Sequence, residues 1–244
     1  MKTLKILILF TTIFSLLIVS SCKKDDDVDP NNSNNFTNYE IKTVQIPDAM
    51  AQSNDEGAQT ARQFMSMANG MAGYGGMMIP PSKSTHVTNL KDGGTELYTW
   101  EINEGNTHCT ITLTFIETAT SYSWAVTING TLEGLNLNNF TYIQAYSEKD
   151  ETTGHMTLYD PAGSGVLMTQ SWQELANGAF EYSLEMPQYL LITVITNEDG
   201  SGSVEVKDWV NGQYVLDFRA EWDASGHGQW WEYLDGIIDE QGSW

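Results

Sequence analysis

The stretch "THCTITLTFIE" (residues 107–117) decides the fold. Apolar side chains occupy every second position, at Cys109, Ile111, Leu113 and Phe115, and threonines fill most positions between them. Because successive side chains of a β-strand point to opposite faces, this pattern predicts a strand with one buried face and one polar face. The same register predicts that Cys109 is buried as a small apolar side chain.

The same alternation recurs along the rest of the chain. It appears in "SYSWAVTIN" (121–129), "FEYSLEM" (180–186) and "YVLDFRAEW" (214–222), and short clusters such as "NEGN", "NEDGSG" and "DASGHG" predict the turns between strands. Parallel strands would need helical crossovers, and the sequence after residue 94 offers none. We therefore predict an all-β fold. It is an antiparallel meander of about ten strands, arranged as a barrel, a half-barrel or two packed sheets, with one N-terminal helix.

The region before the meander carries different patterns. "YEIKTVQI" (39–46) predicts a short strand. A helix is expected next, because Ser53 and Glu56 have the spacing of a capping box and apolar residues then recur at helical intervals. Gly70 and Gly73 are predicted to end this helix, since glycine is unfavourable inside helices.

The N-terminal residues resemble a known targeting signal. An apolar run from Leu4 to Val19 follows a short basic start, and it is marginal for a spanning helix, which needs about 20 residues. "IVSSC" (18–22) matches the lipobox of bacterial lipoproteins. The resemblance implies cleavage just before Cys22 and acylation of that cysteine.

The residues after the cysteine carry a second resemblance. "KKDDD" comprises Lys23, Lys24, Asp25, Asp26 and Asp27, and it is similar to the acidic export signal of surface-exposed lipoproteins. The resemblance implies an outer-membrane, cell-surface location, with the periplasmic face as the alternative. Its implied partners are the outer membrane, through the acyl chains, and the lipoprotein processing and sorting machinery.

These observations divide the chain into predicted segments. They are a signal peptide (1–21), the acylated cysteine with a disordered Asp/Asn-rich tether (22–38), the short strand, helix and Gly/Met-rich hinge (39–93), and the antiparallel β domain (94–244). The tether is too polar to bury enough surface to offset the entropy of ordering it. We expect the last two segments to pack as one unit.

Composition and spacing exclude several functions. The formal net charge of −21 opposes binding to nucleic acid, whose phosphates are also negative. The four histidines are scattered without metal-ligand spacing, and neither a nucleophile elbow nor a phosphate-binding loop occurs. We therefore predict no catalytic residues, no metal and no cofactor, and a protein that is not an enzyme.

Tryptophans are frequent near the C-terminus and suggest a ligand site. Trp209, Trp230 and Trp231 are the candidates for stacking on a sugar ring. Because Trp230 and Trp231 are adjacent, a strand would direct them to opposite faces and leave one of them open to solvent. The alternative is that each tryptophan fills the core or covers a sheet edge.

Methionines crowd around the predicted helix and hinge. Met65, Met71 and Met77 are candidates to line an apolar cavity beneath this segment, which would then act as a lid. The alternative is ordinary packing of flexible side chains where a helix meets a curved sheet.

The sequence favours a lipid-anchored module that binds glycan or protein, or that has a structural role. The first alternative is a periplasm-facing carrier of an apolar ligand in a half-barrel. The last is a hydrolase, which needs two facing carboxylates about 5–10 Å apart.

Overall fold

The computed structural model describes residues 43–77, 80, 84–89, 94–163 and 165–244, without the side chains of 71–77, 88 and 89. These residues belong to one compact unit spanning 35–244. The predicted signal peptide, Cys22, the export signal and the tether lie outside the described residues.

Two helices precede a run of strands. The helices are α1 (Asp48–Gln52) and α2 (Glu56–Met77). The strands are β1 (Thr85–Asn89), β2 (Thr95–Glu104), β3 (Thr107–Glu117), β4 (Ser121–Leu132), β5 (Leu135–Glu148), β6 (Thr153–Tyr159), β7 (Val166–Glu174), β8 (Phe180–Met186), β9 (Leu190–Thr196), β10 (Gly202–Val210), β11 (Gln213–Trp222), β12 (Gly228–Leu234) and β13 (Ile237–Ser243).

All 13 strands form one sheet in sequence order, and each pairs antiparallel with the next. The predicted antiparallel meander is confirmed, although about ten strands were expected. In the described part of the chain the sheet stays open, since β1 and β13 are its two edges, so a closed barrel is excluded.

One face of the sheet is buried almost from edge to edge. The strand register aligns Tyr98, Leu113, Val126, Ile143 and Leu158, and each of these side chains is at most 5% exposed. We call this side of the sheet the inner face. Its continuity explains the fold, because one apolar stripe runs through consecutive hairpins and a slip of one residue would expose that stripe.

Helix α2 packs on the inner face of the C-terminal strands, from β8 to β13. Near its start, Gly57 lies directly against the Trp230 indole of β12, where an added Cβ would fall 2.0 Å from ring atoms. Further along, the Phe64 ring lies 5.8 Å from that of Phe218 in β11. The helix therefore crosses the sheet from β12 towards lower-numbered strands.

The two ends of α2 differ from the prediction. The side chain of Asp55, rather than Ser53, caps the helix, since its Oδ1 accepts hydrogen bonds from the N–H groups of Gly57 and Ala58. The backbone also stays helical through Gly70 and Gly73 to Met77, so the predicted end was wrong. Neither α1 nor α2 is long and apolar enough to cross a membrane.

The segment before α2 also departs from the prediction. Residues 43–46 form no strand, so the strand predicted over 39–46 is wrong in this described part. Val44 instead pairs through its backbone N–H and C=O with the side-chain amide of Asn69, at 2.7 and 2.8 Å. Arg62 donates hydrogen bonds to the last carbonyls of the short, unpredicted α1. The segment before α2 thus packs against this helix instead of pairing with the sheet.

Cys109 is 5% exposed on the inner face, as its alternation with Leu113 predicts. Burial raises the pKa of its thiol, so the group stays protonated and unreactive near neutral pH.

Candidate functional site

The two ends of the sheet have opposite chemical character. In a meander, all turns that follow even-numbered strands lie at the same end, which we call the hairpin rim. Every well-exposed large apolar side chain in the described part lies at this rim except Val87 of β1. The rim set is Leu135, Val166, Tyr189, Trp209, Val210, Leu234, Ile237 and Ile238. Tyr189, Trp209 and Val210 come from two neighbouring turns of this rim, and contiguous exposed apolar side chains are typical of an interaction surface.

The opposite end is polar and is built from capped turns. Asp150, Asp199 and Asp223 each accept hydrogen bonds from the residue two positions later. These bonds lower the pKa of the three carboxyl groups. These carboxylates thus stabilise the turns at the polar end. The exposed apolar side chains lie at the hairpin rim.

The aromatic part of the rim is a cluster we call the hairpin patch, formed by Tyr189, Trp209, Val210 and Tyr214. The backbone N–H of Trp209 donates to the carbonyl of Tyr189 at 3.0 Å, which fixes the two hairpins side by side. The Trp209 ring meets that of Tyr214 edge to face, with centroids 4.9 Å apart. Trp209 nevertheless remains 36% exposed, so its ring combines a fixed orientation with access to solvent.

A carboxylate borders the hairpin patch and orients it. The hydroxyl of Tyr214 donates to Oε1 of Glu185 at 2.9 Å. Burial and this hydrogen bond raise the pKa of Tyr214 to about 12. Burial, and then the nearby charge of Asp208, also raise the pKa of Tyr189. The exposed rings of Tyr189 and Trp209, with the carboxylates of Glu185 and Asp208 nearby, form a surface suited to stacking on an apolar or sugar ligand.

The structure separates the three predicted stacking residues. Trp209 belongs to the hairpin patch, whereas Trp230 is 7% exposed and packs on the inner face against Gly57. Trp230 is therefore a core residue and is not available for stacking. Trp231 is half-buried on the outer face, with the Arg219 guanidinium 5.9 Å from its ring centroid. The three residues do not form a common site.

The methionine candidates are only partly described. Met65 has no exposed surface and belongs to the packed inner layer. Met71 and Met77 lie on the helical backbone of α2, but their side chains are outside the described part.

One cluster of titratable groups lies at the β1–β2 edge. The hydroxyl of Tyr98 donates to Glu96, which is 6% exposed, and His86 stacks on Tyr98 at 4.4 Å. Burial, followed by the bond to Glu96, raises the pKa of Tyr98. This trio contains one carboxyl, whereas the hydrolase alternative requires two that face each other. Among the described side chains, no group of three His, Cys, Asp or Glu is arranged to hold a metal ion.

Sequence reasoning missed most of the hairpin patch. Tyr189, Val210 and Tyr214 lie in or beside turns that follow even-numbered strands. Because such turns lie at the same end of a meander, the order of the strands could have predicted that these residues are neighbours. Gln170 was missed too. It occupies an apolar position between Met168 and Trp172, and this break in the alternation marks a buried polar group.

Comparison with known proteins adds no relative. No family model matches the chain, and no curated protein matches it.

Proposed function

We propose that the chain is a lipid-anchored lipoprotein of the outer membrane, exposed at the cell surface, that binds glycan or protein without catalysis. The location rests on the "IVSSC" and "KKDDD" motifs around Cys22. The binding role rests on the hairpin patch, where Trp209 and Tyr189 stay exposed while most large apolar side chains of the sheet are buried. A ring held by an edge-to-face contact loses little entropy on binding, which favours recognition at such a site.

Protease shaving of intact cells tests the proposed location. We expect external protease to remove the domain, and simultaneous replacement of Asp25, Asp26 and Asp27 by alanine to protect it. Replacement of Cys22 by serine should release the protein from the membrane fraction, because the acyl chains provide the anchor. Protection of the unmodified protein would place it at the periplasmic face.

Substitution at the hairpin patch tests the proposed binding. On a glycan array, we expect Trp209→Ala to weaken the binding of any retained glycan about tenfold or more. The scale is that of a nucleic-acid base stacked on an aromatic side chain, roughly 1–3 kcal/mol. Leu135→Ala is the matched control, because Leu135 is similarly exposed at the same rim but outside the patch. Equal loss in both variants, or none in Trp209→Ala, would contradict a site at the patch.

A further inference from the structure

Gln170 is a buried amide in an apolar layer. It lies on β7 in register with Met156 of β6 and Leu184 of β8, and all three side chains have no exposed surface. Among the described residues, neither Oε1 nor Nε2 of Gln170 has a hydrogen-bond partner. Such burial costs free energy, and native proteins retain it where the group meets a bound molecule or serves another role.

A second donor lies beside Gln170 on the same face. Trp172 is two residues further along β7, about 7 Å away in an extended strand, and is 2% exposed. Its indole lies over Gly154 of β6, where an added Cβ would fall 2.1 Å from the ring. Within the described part of the chain, its Nε1 also lacks an acceptor. One strand therefore presents two donors and one acceptor inside an apolar layer.

The chemistry of these three atoms selects the ligand. A hydroxyl group both donates and accepts, so one hydroxyl can donate to Oε1 of Gln170 and accept from Nε2 or from Nε1 of Trp172. Met156 and Leu184 supply apolar contacts for the rest of the molecule. A carboxylate or phosphate fits poorly, because the described inner-face positions of β2 to β12 carry no Lys or Arg to balance its charge.

Helix α2 is the element through which a ligand would reach the inner face near Gln170. The helix begins against Trp230 of β12 and also contacts β8, the strand that pairs with β7 beside Gln170. Its later turns contain Gly70, Gly73, Gly75 and Gly76, each of which weakens a helix relative to alanine. Local opening of the C-terminal part of α2 is therefore less costly than opening of its start.

We propose that the inner face at Gln170 and Trp172 binds an uncharged apolar molecule that carries a hydroxyl group, such as a long-chain alcohol or a hydroxylated lipid. This site specifies the ligand class and the binding residues for the alternative that the protein carries an apolar ligand. It is separate from the hairpin patch, so it stands or fails independently of the proposed surface binding.

Binding of three matched probes tests the proposal. The mature chain with Cys22→Ser, which needs no detergent, is titrated with 1-dodecanol, dodecane and dodecanoate, and tryptophan fluorescence is followed. We expect 1-dodecanol to bind about tenfold or more tightly than either of the others. Equal binding of dodecane would show an apolar site without polar recognition, and tighter binding of dodecanoate would show an unrecognised cation; either result overturns the proposal, as does no binding of 1-dodecanol.

Gln170→Met provides the matching variant, because methionine has a similar shape and lacks the amide. We expect the melting temperature of the unliganded variant to rise by about 2–4 °C, because an unpaired buried amide is removed. Its affinity for 1-dodecanol should fall about tenfold while its affinity for dodecane stays unchanged. A lower melting temperature would assign Gln170 a structural role, and unchanged affinity for 1-dodecanol would remove it from the site; both outcomes contradict the proposal.

Discussion

Replacement of Gly57 by alanine is expected to destabilise the protein by about 2–3 kcal/mol, against the usual rule that alanine stabilises a helix. The reason is local. An ideal Cβ at Gly57 would lie 2.0 Å from the Trp230 indole, which is itself enclosed on the inner face. Either α2 moves away from β12 or the ring leaves its position, and both changes open packed contacts. The free energy of unfolding, measured by urea denaturation, checks this expectation.

Gly70→Ala is the matched control, because Gly70 lies in the same helix and has no atom within 4 Å of an added Cβ. It should stabilise the protein by about 0.5–1 kcal/mol. If Gly57→Ala also stabilises the protein, the close approach of α2 to Trp230 is wrong. If both variants destabilise the protein, the helix requires glycine at both positions for a reason other than steric contact with Trp230.

The sequence predicted the central part of the fold because burial there has a period of two. The residues of β3 alternate so strictly that their face and neighbours followed directly from the pattern. The edge strand β13 could not be predicted from alternation, because "IIDEQGS" does not alternate and is mostly exposed. Its pairing with β12 comes from the tight turn at Asp235 and Gly236, both with positive φ, rather than from burial.

The helix shows the limit of local propensity. Gly70 and Gly73 predicted an end because each costs roughly 1 kcal/mol inside a helix. The helical backbone nevertheless continues to Met77. Glycine propensity alone therefore did not locate the end of the helix. The capping residue was misassigned for a related reason. Asp55 and Ser53 are both good N-cap residues. Ser53 instead ends α1 as its C-cap residue, and Asp55 accepts the hydrogen bonds at the start of α2.

The candidate site was half predictable. Alternation placed Trp230 and Trp231 on opposite faces, but it did not say which face was inner, since that depends on the register with β11 and on α2. Trp209 was singled out from the sequence as a stacking candidate, which stays a prediction. Its partners Tyr189 and Tyr214 come from neighbouring turns and were not predicted. Such a cluster arises from the common end of successive hairpins and not from any local motif.

The adjacent tryptophans should therefore respond very differently to truncation. Trp230→Ala is expected to cost about 3–5 kcal/mol of unfolding free energy, because it removes a ring that is 7% exposed and leaves a cavity beneath α2. Trp231→Ala should cost less than about 1 kcal/mol, because this ring is half-buried on the outer face near Arg219. The two variants are matched in sequence position and in the number of atoms removed.

Coupling between Gly57 and Trp230 completes this test. In the Trp230→Ala background the ring is gone, so Gly57→Ala should lose its penalty and cost at least about 2 kcal/mol less than in the unmodified protein. Additive effects in the double variant would mean that the two residues do not touch. Equal losses for Trp230→Ala and Trp231→Ala would mean that the faces of β12 are assigned wrongly. A large coupling with unequal losses identifies the glycine–indole contact as the point where α2 is fixed to the sheet.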